Sequence, residues 1–133
     1  MMNQTSRYAL NVLGYLASRT DRLIRSEELA AATGLPPNYL AKVLNQLRKG
    51  GLVISQKGWG GGFQLQPGAG SRTVGAVVRI MEGPAAVERE DCVFGRPHCD
   101  PDHPCPLHDQ WAEIRDSYTG LLTETTIADL AGR

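Results

Sequence analysis

Outside one 17-residue stretch, Cys92 to His108, the chain contains no cysteine and no histidine. It has no apolar run approaching the roughly 20 residues that cross a bilayer, which argues against a membrane-spanning helix. Aromatic residues are few, two Phe, two Trp and four Tyr, so the core is expected to be aliphatic. Three cysteines leave one over from any pairing, which argues against a secreted disulfide scaffold. The opening Met-Met-Asn-Gln-Thr-Ser-Arg7 lacks the apolar core of a signal peptide and leads into an amphipathic segment. A cytoplasmic location with no membrane partner is therefore the expectation. At 133 residues the chain fits one ordinary domain, or a small domain with an appendage.

The net charge of zero conceals a polarity. Residues 1–80 carry ten Lys/Arg against three acids, a balance of +7, and residues 81–133 carry four Arg against eleven acids, a balance of −7. A basic first half points to a polyanionic partner.

Tyr8, Leu10, Val12, Leu13, Leu16 and Ala17 recur at helical spacing, predicting a helix through about Arg19. Ser26 to Gly34 reads as a short second helix, with Ser26 as N-cap, two Glu in the first turn and Gly34 as its stop. Leu35-Pro36-Pro37-Asn38 is a tight turn, and a third helix follows. Tyr39, Leu40, Val43, Leu44 and Leu47 share one face of it, opposite or nearly opposite Asn38, Ala41, Lys42, Asn45, Gln46 and Lys49, and Gly50-Gly51 ends it. Residues 52–57 and 63–66 read as strands joined by Gly58-Trp-Gly-Gly-Gly62, with Pro67 closing the hairpin. That order is a winged helix-turn-helix, here spanning residues 1–68. Its candidate DNA contacts are Asn38, Tyr39, Ala41, Lys42, Asn45 and Lys49 on the third helix, with Lys57 and Trp59 on the wing. The glycine-rich tip is a poor phosphate loop, because it lacks a Gly-Lys-Ser/Thr end and leads into no helix.

Residues 69–133 form the second unit. Thr73 caps a short helix that stops at Gly83-Pro84. The proline-rich segment 84–108 has no periodicity, and a loop of that length inside a compact domain is functional or disordered. Beyond it, Leu107, Trp111, Ile114, Tyr118, Leu121, Leu122 and Thr125 define one face of a long helix, with a short turn at Thr126 to Leu130. The stripe is too wide for this small unit to cover, so Trp111, Ile114, Tyr118 and Leu121 are read as a homodimer interface.

The loop's donors are spaced Cys92-x6-Cys99-x5-Cys105-x2-His108, with His98 and His103 between them. This differs from the paired Cys-x2-Cys knuckles of zinc ribbons. It is nearer to a Cys-Cys-Cys-His zinc finger, and it also suits an Fe–S cluster. Glu88, Glu90, Asp91, Asp100, Asp102 and Asp109 against Arg89 and Arg96 disfavour a free reactive thiolate and favour a metal. Nothing in the sequence supplies the oriented third group or oxyanion hole of a Cys–His enzyme, so no catalytic residue is assigned.

Several motifs together resemble the Rrf2 family of bacterial winged-helix regulators. They are Ser6-Arg-Tyr-Ala-Leu10, Leu40 to Leu47 followed by Arg-Lys-Gly-Gly-Leu52-Val53, Gly-Trp-Gly-Gly-Gly-Phe63, Thr73-Val-Gly, and three cysteines before a Trp-bearing helix. The resemblance runs from about Ser6 to Leu130, and the wing and cysteine loop are its most specific parts. It implies a homodimer with crossed C-terminal helices that binds an operator in double-stranded DNA under control of an Fe–S cluster. It also implies that Cys92, Cys99 and Cys105 are cluster ligands, with His108 completing a [2Fe–2S] site in preference to [4Fe–4S]. Three departures stand out. The first Cys interval has six residues where the [2Fe–2S] branch has five. Arg7 stands where the nitric-oxide-sensing branch places a ligating Asp, and Ala41 stands where some members carry an acid that tunes base choice.

Overall fold

Asn3 starts the first helix of the computed structural model, which describes residues 1–88 and 92–132. Its side-chain oxygen accepts the Ser6 amide at 2.9 Å and caps α1 (Gln4–Ala17). Ala9, Val12, Leu13 and Leu16 form the buried stripe of α1. The helix ends two residues before the periodicity predicts, because the Arg19 amide bonds Leu16 in a tighter turn.

Helix α2 (Ser26–Thr33) differs from expectation at its start. Arg25 occupies the capping position, Ser26 already lies in the helix, and no side chain caps it. Backbone pairing sets this boundary: Ile24 exchanges two 2.8 Å hydrogen bonds with Phe63, and the Arg25 carbonyl accepts the amide of Leu29. Gly34 closes α2 in the left-handed conformation, as expected. Helix α3 (Pro37–Lys49) opens on a proline and buries Leu40, Val43, Leu44 and Leu47. Tyr39 is half-exposed, with its ring edge-on to Tyr8 at 6.4 Å between centroids.

Strands β1 (Val53–Gln56) and β2 (Gly62–Leu65) pair antiparallel, from Val53 opposite Leu65 to Gln56 opposite Gly62. The Ile24–Phe63 bridge adds a third short backbone contact to this hairpin. Gly62 is required there: its φ is +150°, and a Cβ would lie 2.6 Å from the Ile24 carbonyl oxygen. Thr73 then caps α4 (Val74–Glu82) through the Ala76 amide at 3.1 Å, as the sequence predicts. Helix α5 (His108–Glu124) returns along α4, with Leu122 packed on Val74 and Val78. Its end is tied down by backbone bonds of Val74 to Thr125 and of Ile127 to Arg72. A 3₁₀ turn, Ala128–Leu130, follows.

The main core is aliphatic. Leu13 and Leu16 of α1, Leu40 and Leu47 of α3, Ile24, Leu29 and Leu52 are all but fully buried, and Val77 and Ile127 complete the same cluster. Among the described residues, no helix is long and apolar enough to cross a membrane.

Candidate functional site

Two surfaces carry the chemistry. The first is the outer face of α3. Because Leu40, Val43, Leu44 and Leu47 point inward, helical geometry turns Asn38, Ala41, Lys42, Asn45 and Lys49 out to solvent. Arg48 lies on this face as well and donates to the Asn45 side-chain oxygen at 2.8 Å. Its spacing of three from Asn45 is a signal that a reading of small polar residues passes over. The Lys42 ammonium sits 5.9 Å from the Tyr39 ring centroid. On the wing, Lys57 is exposed and Trp59 is fully so.

The second surface is the cysteine loop. Cys92 and Cys105 are both buried, and the Cys105 side chain is near enough to act on the Cys92 thiol. Burial pushes the Cys92 thiol up, but hydrogen bonds from the Phe94 and Arg96 backbone, the Cys105 side chain and the Arg96 charge outweigh it. The result lies below the ordinary value of 9.0. Cys99 is half-buried, with its Sγ 3.4 Å from Nδ1 of His108, the first residue of α5. The other two histidines face elsewhere. His103 places Nδ1 3.0 Å from the Asp100 carboxylate, holding that carboxyl below its usual range, and remains exposed. His98 is exposed.

The loop thus sets Cys99 against His108 and buries Cys92 and Cys105. Among the described residues, no three His, Cys, Asp or Glu side chains converge on one point. Arg89, Glu90 and Asp91, which enter the loop's charge balance, lie outside the described residues.

Along α5, Leu107, Ile114 and Leu121 are spaced by seven and 42–53% exposed. Trp111 and Tyr118 are half-buried beside them and line a cavity of about 200 Å³ with Val87 and Leu122.

Two contacts between helices have no counterpart in the sequence reading. Glu82, at the end of α4, accepts from the Asn3 amide at 3.0 Å and from the buried Ser6 hydroxyl. Glu28 of α2 accepts two Arg22 nitrogens, at 2.9 and 2.8 Å, together with the Tyr15 hydroxyl of α1. The Glu82 contacts join residues distant in sequence, and those of Glu28 bridge the turn between α1 and α2, so neither set follows a helical spacing.

Residues 2–133 match the Rrf2 family model, described as an iron-dependent transcriptional regulator. The chain belongs to the Rrf2 family. It is 36% identical over 132 residues to a putative HTH-type transcriptional regulator of Aquifex aeolicus, spanning 98% of this chain and 90% of that protein. It is 29% identical over 130 residues to the HTH-type transcriptional regulator IscR of Enterobacter sp., spanning 97% and 78% of the two chains. The structure of CymR, the global cysteine regulator of B. subtilis, superposes with a TM-score of 0.78 at 27% identity, covering 98% and 95%. The mostly helical winged-helix fold is thus that of Rrf2 regulators, and its relatives are DNA-binding transcriptional regulators rather than enzymes.

Proposed function

We propose that this Rrf2 protein is a cytoplasmic homodimer that binds operator DNA through α3 and the wing. In this reading its affinity depends on an Fe–S cluster, [2Fe–2S] rather than [4Fe–4S], held by Cys92, Cys99, Cys105 and His108. Residues 1–68 form the DNA-reading unit, and residues 69–133 form the sensing and dimerising unit.

The contact of Cys99 with His108 carries the proposal. A two-iron cluster takes two protein donors at each iron, including mixed thiolate and imidazole sets. A single zinc ion gathers four donors around one centre. Cys99 with His108 is such a mixed pair, and the buried Cys92 and Cys105 would supply the other. When bound, the cluster supplies an iron centre sensitive to oxidants and small ligands.

The chain's own residues supply the coupling. His108 begins α5, so the Cys99–His108 contact ties the loop to the helix proposed to form the dimer. At the loop's other end, Glu82 ties α4 to the start of α1 in the DNA-reading unit. A change in loop conformation therefore acts on both units, which is the differential contact that coupling requires.

Anaerobic purification with absorption and EPR spectra, iron and sulfide analysis, and gel shifts with and without the cluster test the reading. Coloured protein whose operator affinity changes when the cluster is removed supports it. Stoichiometric zinc without iron or sulfide overturns it.

One observation favours a second reading, a thiol-dependent regulator of the same fold. Cys92 and Cys105 are both buried free thiols of the same loop, and Cys105 acts on the Cys92 thiol. Mass spectrometry after mild oxidation distinguishes this case, since a Cys92–Cys105 bridge would form in iron-free protein and alter DNA binding.

A further inference from the structure

Trp59 is fully exposed at the tip of the wing, whereas every other large apolar side chain on the surface is at most 56% exposed. A single exposed apolar side chain is ordinary, but the backbone that presents this one is not. The tip that carries it is built to one shape. The Gly61 amide bonds the Gly58 carbonyl at 3.0 Å, and Gly58 and Gly60 adopt φ of +90° and +76°. A Cβ on Gly61 would lie 2.1 Å from the Gln56 carbonyl oxygen. Below the tip, paired backbone bonds between Phe63 and Ile24 brace the hairpin against the helices. The indole is thus held out on a firm support.

Its surroundings favour a nucleic acid over a protein partner. No Asp or Glu occurs between Glu28 and Glu82, a stretch that holds Lys42, Arg48, Lys49 and Lys57. An apolar tip on an acid-free basic unit matches DNA, where phosphates flank an apolar base stack.

We infer that Trp59 is a minor-groove wedge, entering between base pairs of the operator, partly unstacking one step and kinking the duplex. The inference rests on the proposed DNA reading and adds to it a source of sequence preference. Apolar side chains that enter the minor groove kink DNA by opening a base step. Pyrimidine–purine steps such as TA and CA yield most easily. The indole Nε1–H can also donate to the acceptors on the floor of an A·T pair. The wing therefore selects operators with a flexible step at a position that α3 does not touch.

The test uses the parent protein purified anaerobically, and duplexes selected by that protein from a random-sequence pool. Because the Trp59 side chain is fully exposed, Trp59→Ala is expected to fold like the parent, and Trp59→Phe retains a smaller wedge. Bending is read by energy transfer between end-labelled strands, and affinity by gel shift across a salt series. We expect Trp59→Ala to bind about tenfold more weakly, with unchanged salt slope and little bend. Trp59→Phe should restore much of both. Replacing the flexible step by a stiff A-tract should weaken the parent and leave Trp59→Ala unaffected. If Trp59→Ala bends and binds the selected duplex like the parent, the wedge is wrong while DNA binding stands. A shallower salt slope in Trp59→Ala also overturns it, since that marks a phosphate contact. If the parent selects no duplex, the DNA reading and the wedge fall together.

Discussion

The hydroxyl of Ser6 donates to the carboxylate of Glu82, joining the first turn of α1 to the last residue of α4. Ser6 has no solvent exposure, so this contact cannot be replaced by water without movement. Glu82 also accepts the Asn3 amide, and the chain leaves it directly for Gly83-Pro84 and the cysteine loop. Ser6→Ala should cost about 1 kcal/mol, the net value of a hydrogen bond. Glu82→Ala should cost more, about 1–3 kcal/mol, because it strands the buried hydroxyl. Denaturant midpoints measure both, and a Glu82→Ala protein as stable as the parent would show that the link contributes nothing.

A second inter-helix contact predicts behaviour in acid. The Arg22 hydrogen bonds, then that of Tyr15, lower the pKa of Glu28 from 4.5 to about 2, with added help from the charges of Arg22 and Arg19. The same contact raises the Tyr15 hydroxyl above its usual value. A carboxylate whose pKa is depressed by folding stabilises the native state above its unfolded pKa, and that contribution fades as pH falls. The Glu28 contribution should thus be complete above about pH 5 and be lost towards pH 2. Thermal midpoints across this range should fall more steeply for the parent than for Glu28→Gln. Parallel curves would show that the contact is already broken in solution.

On the surface proposed to meet DNA, Lys42 and Lys57 are both exposed, one on α3 and one at the base of the wing. Each phosphate contact removed lowers the salt slope of binding by about one. Lys42→Ala and Lys57→Ala should each weaken binding and flatten the slope by about that amount. Slopes equal to the parent's in both variants would remove these residues from the interface.

The parts of this molecule legible in the sequence are those governed by local rules. The inward stripe of α3 repeats every three or four residues, and Gly34 and Thr73 mark helix ends by their own chemistry. The wing is visible because its glycines sit between two short β-forming runs. Ser26 misled for a non-local reason: Phe63, far along the chain, pins Ile24 and moves the start of α2. The same limit hid the partners of Glu82 and Glu28, since a carboxylate's partner across the fold leaves no trace in its neighbours. Within the cysteine loop, the sequence offered three cysteines and three histidines, the family resemblance singled out His108, and neither gave their association. That Cys99 meets His108, while His103 turns to Asp100, depends on where the loop joins α5.

Ile114 and Leu121 lie seven residues apart on α5 and are 53% and 45% exposed. That spacing keeps an apolar seam on one side of a helix facing a partner helix. Replacing both with Glu places two charges in the seam and should leave the monomer fold intact, since neither side chain is in the core. Sedimentation should then show a monomer, and operator binding should fail because a single half-site is weakly held. A folded double variant that still sediments as a dimer places the interface elsewhere.

The proposed cluster ligands make the last prediction. Removing a thiolate opens an iron site to water and oxygen, so Cys92→Ala, Cys99→Ala and Cys105→Ala should each yield colourless protein. For the fourth ligand, His108 already lies 3.4 Å from the Cys99 sulfur, whereas His103 is engaged by Asp100 and His98 faces solvent. His108→Ala should therefore bleach the protein, and His98→Ala and His103→Ala should leave its spectrum unchanged. A neutral imidazole leaves less negative charge on iron than a thiolate does, which raises the reduction potential. His108→Cys should accordingly retain the cluster and lower its potential, as read by redox titration of the visible bands. The extra residue between Cys92 and Cys99 gives the loop slack to present another imidazole. If His103→Ala or His98→Ala bleaches the protein and His108→Ala does not, the cluster draws its fourth donor from within the loop, and the Cys99–His108 contact is not part of the site.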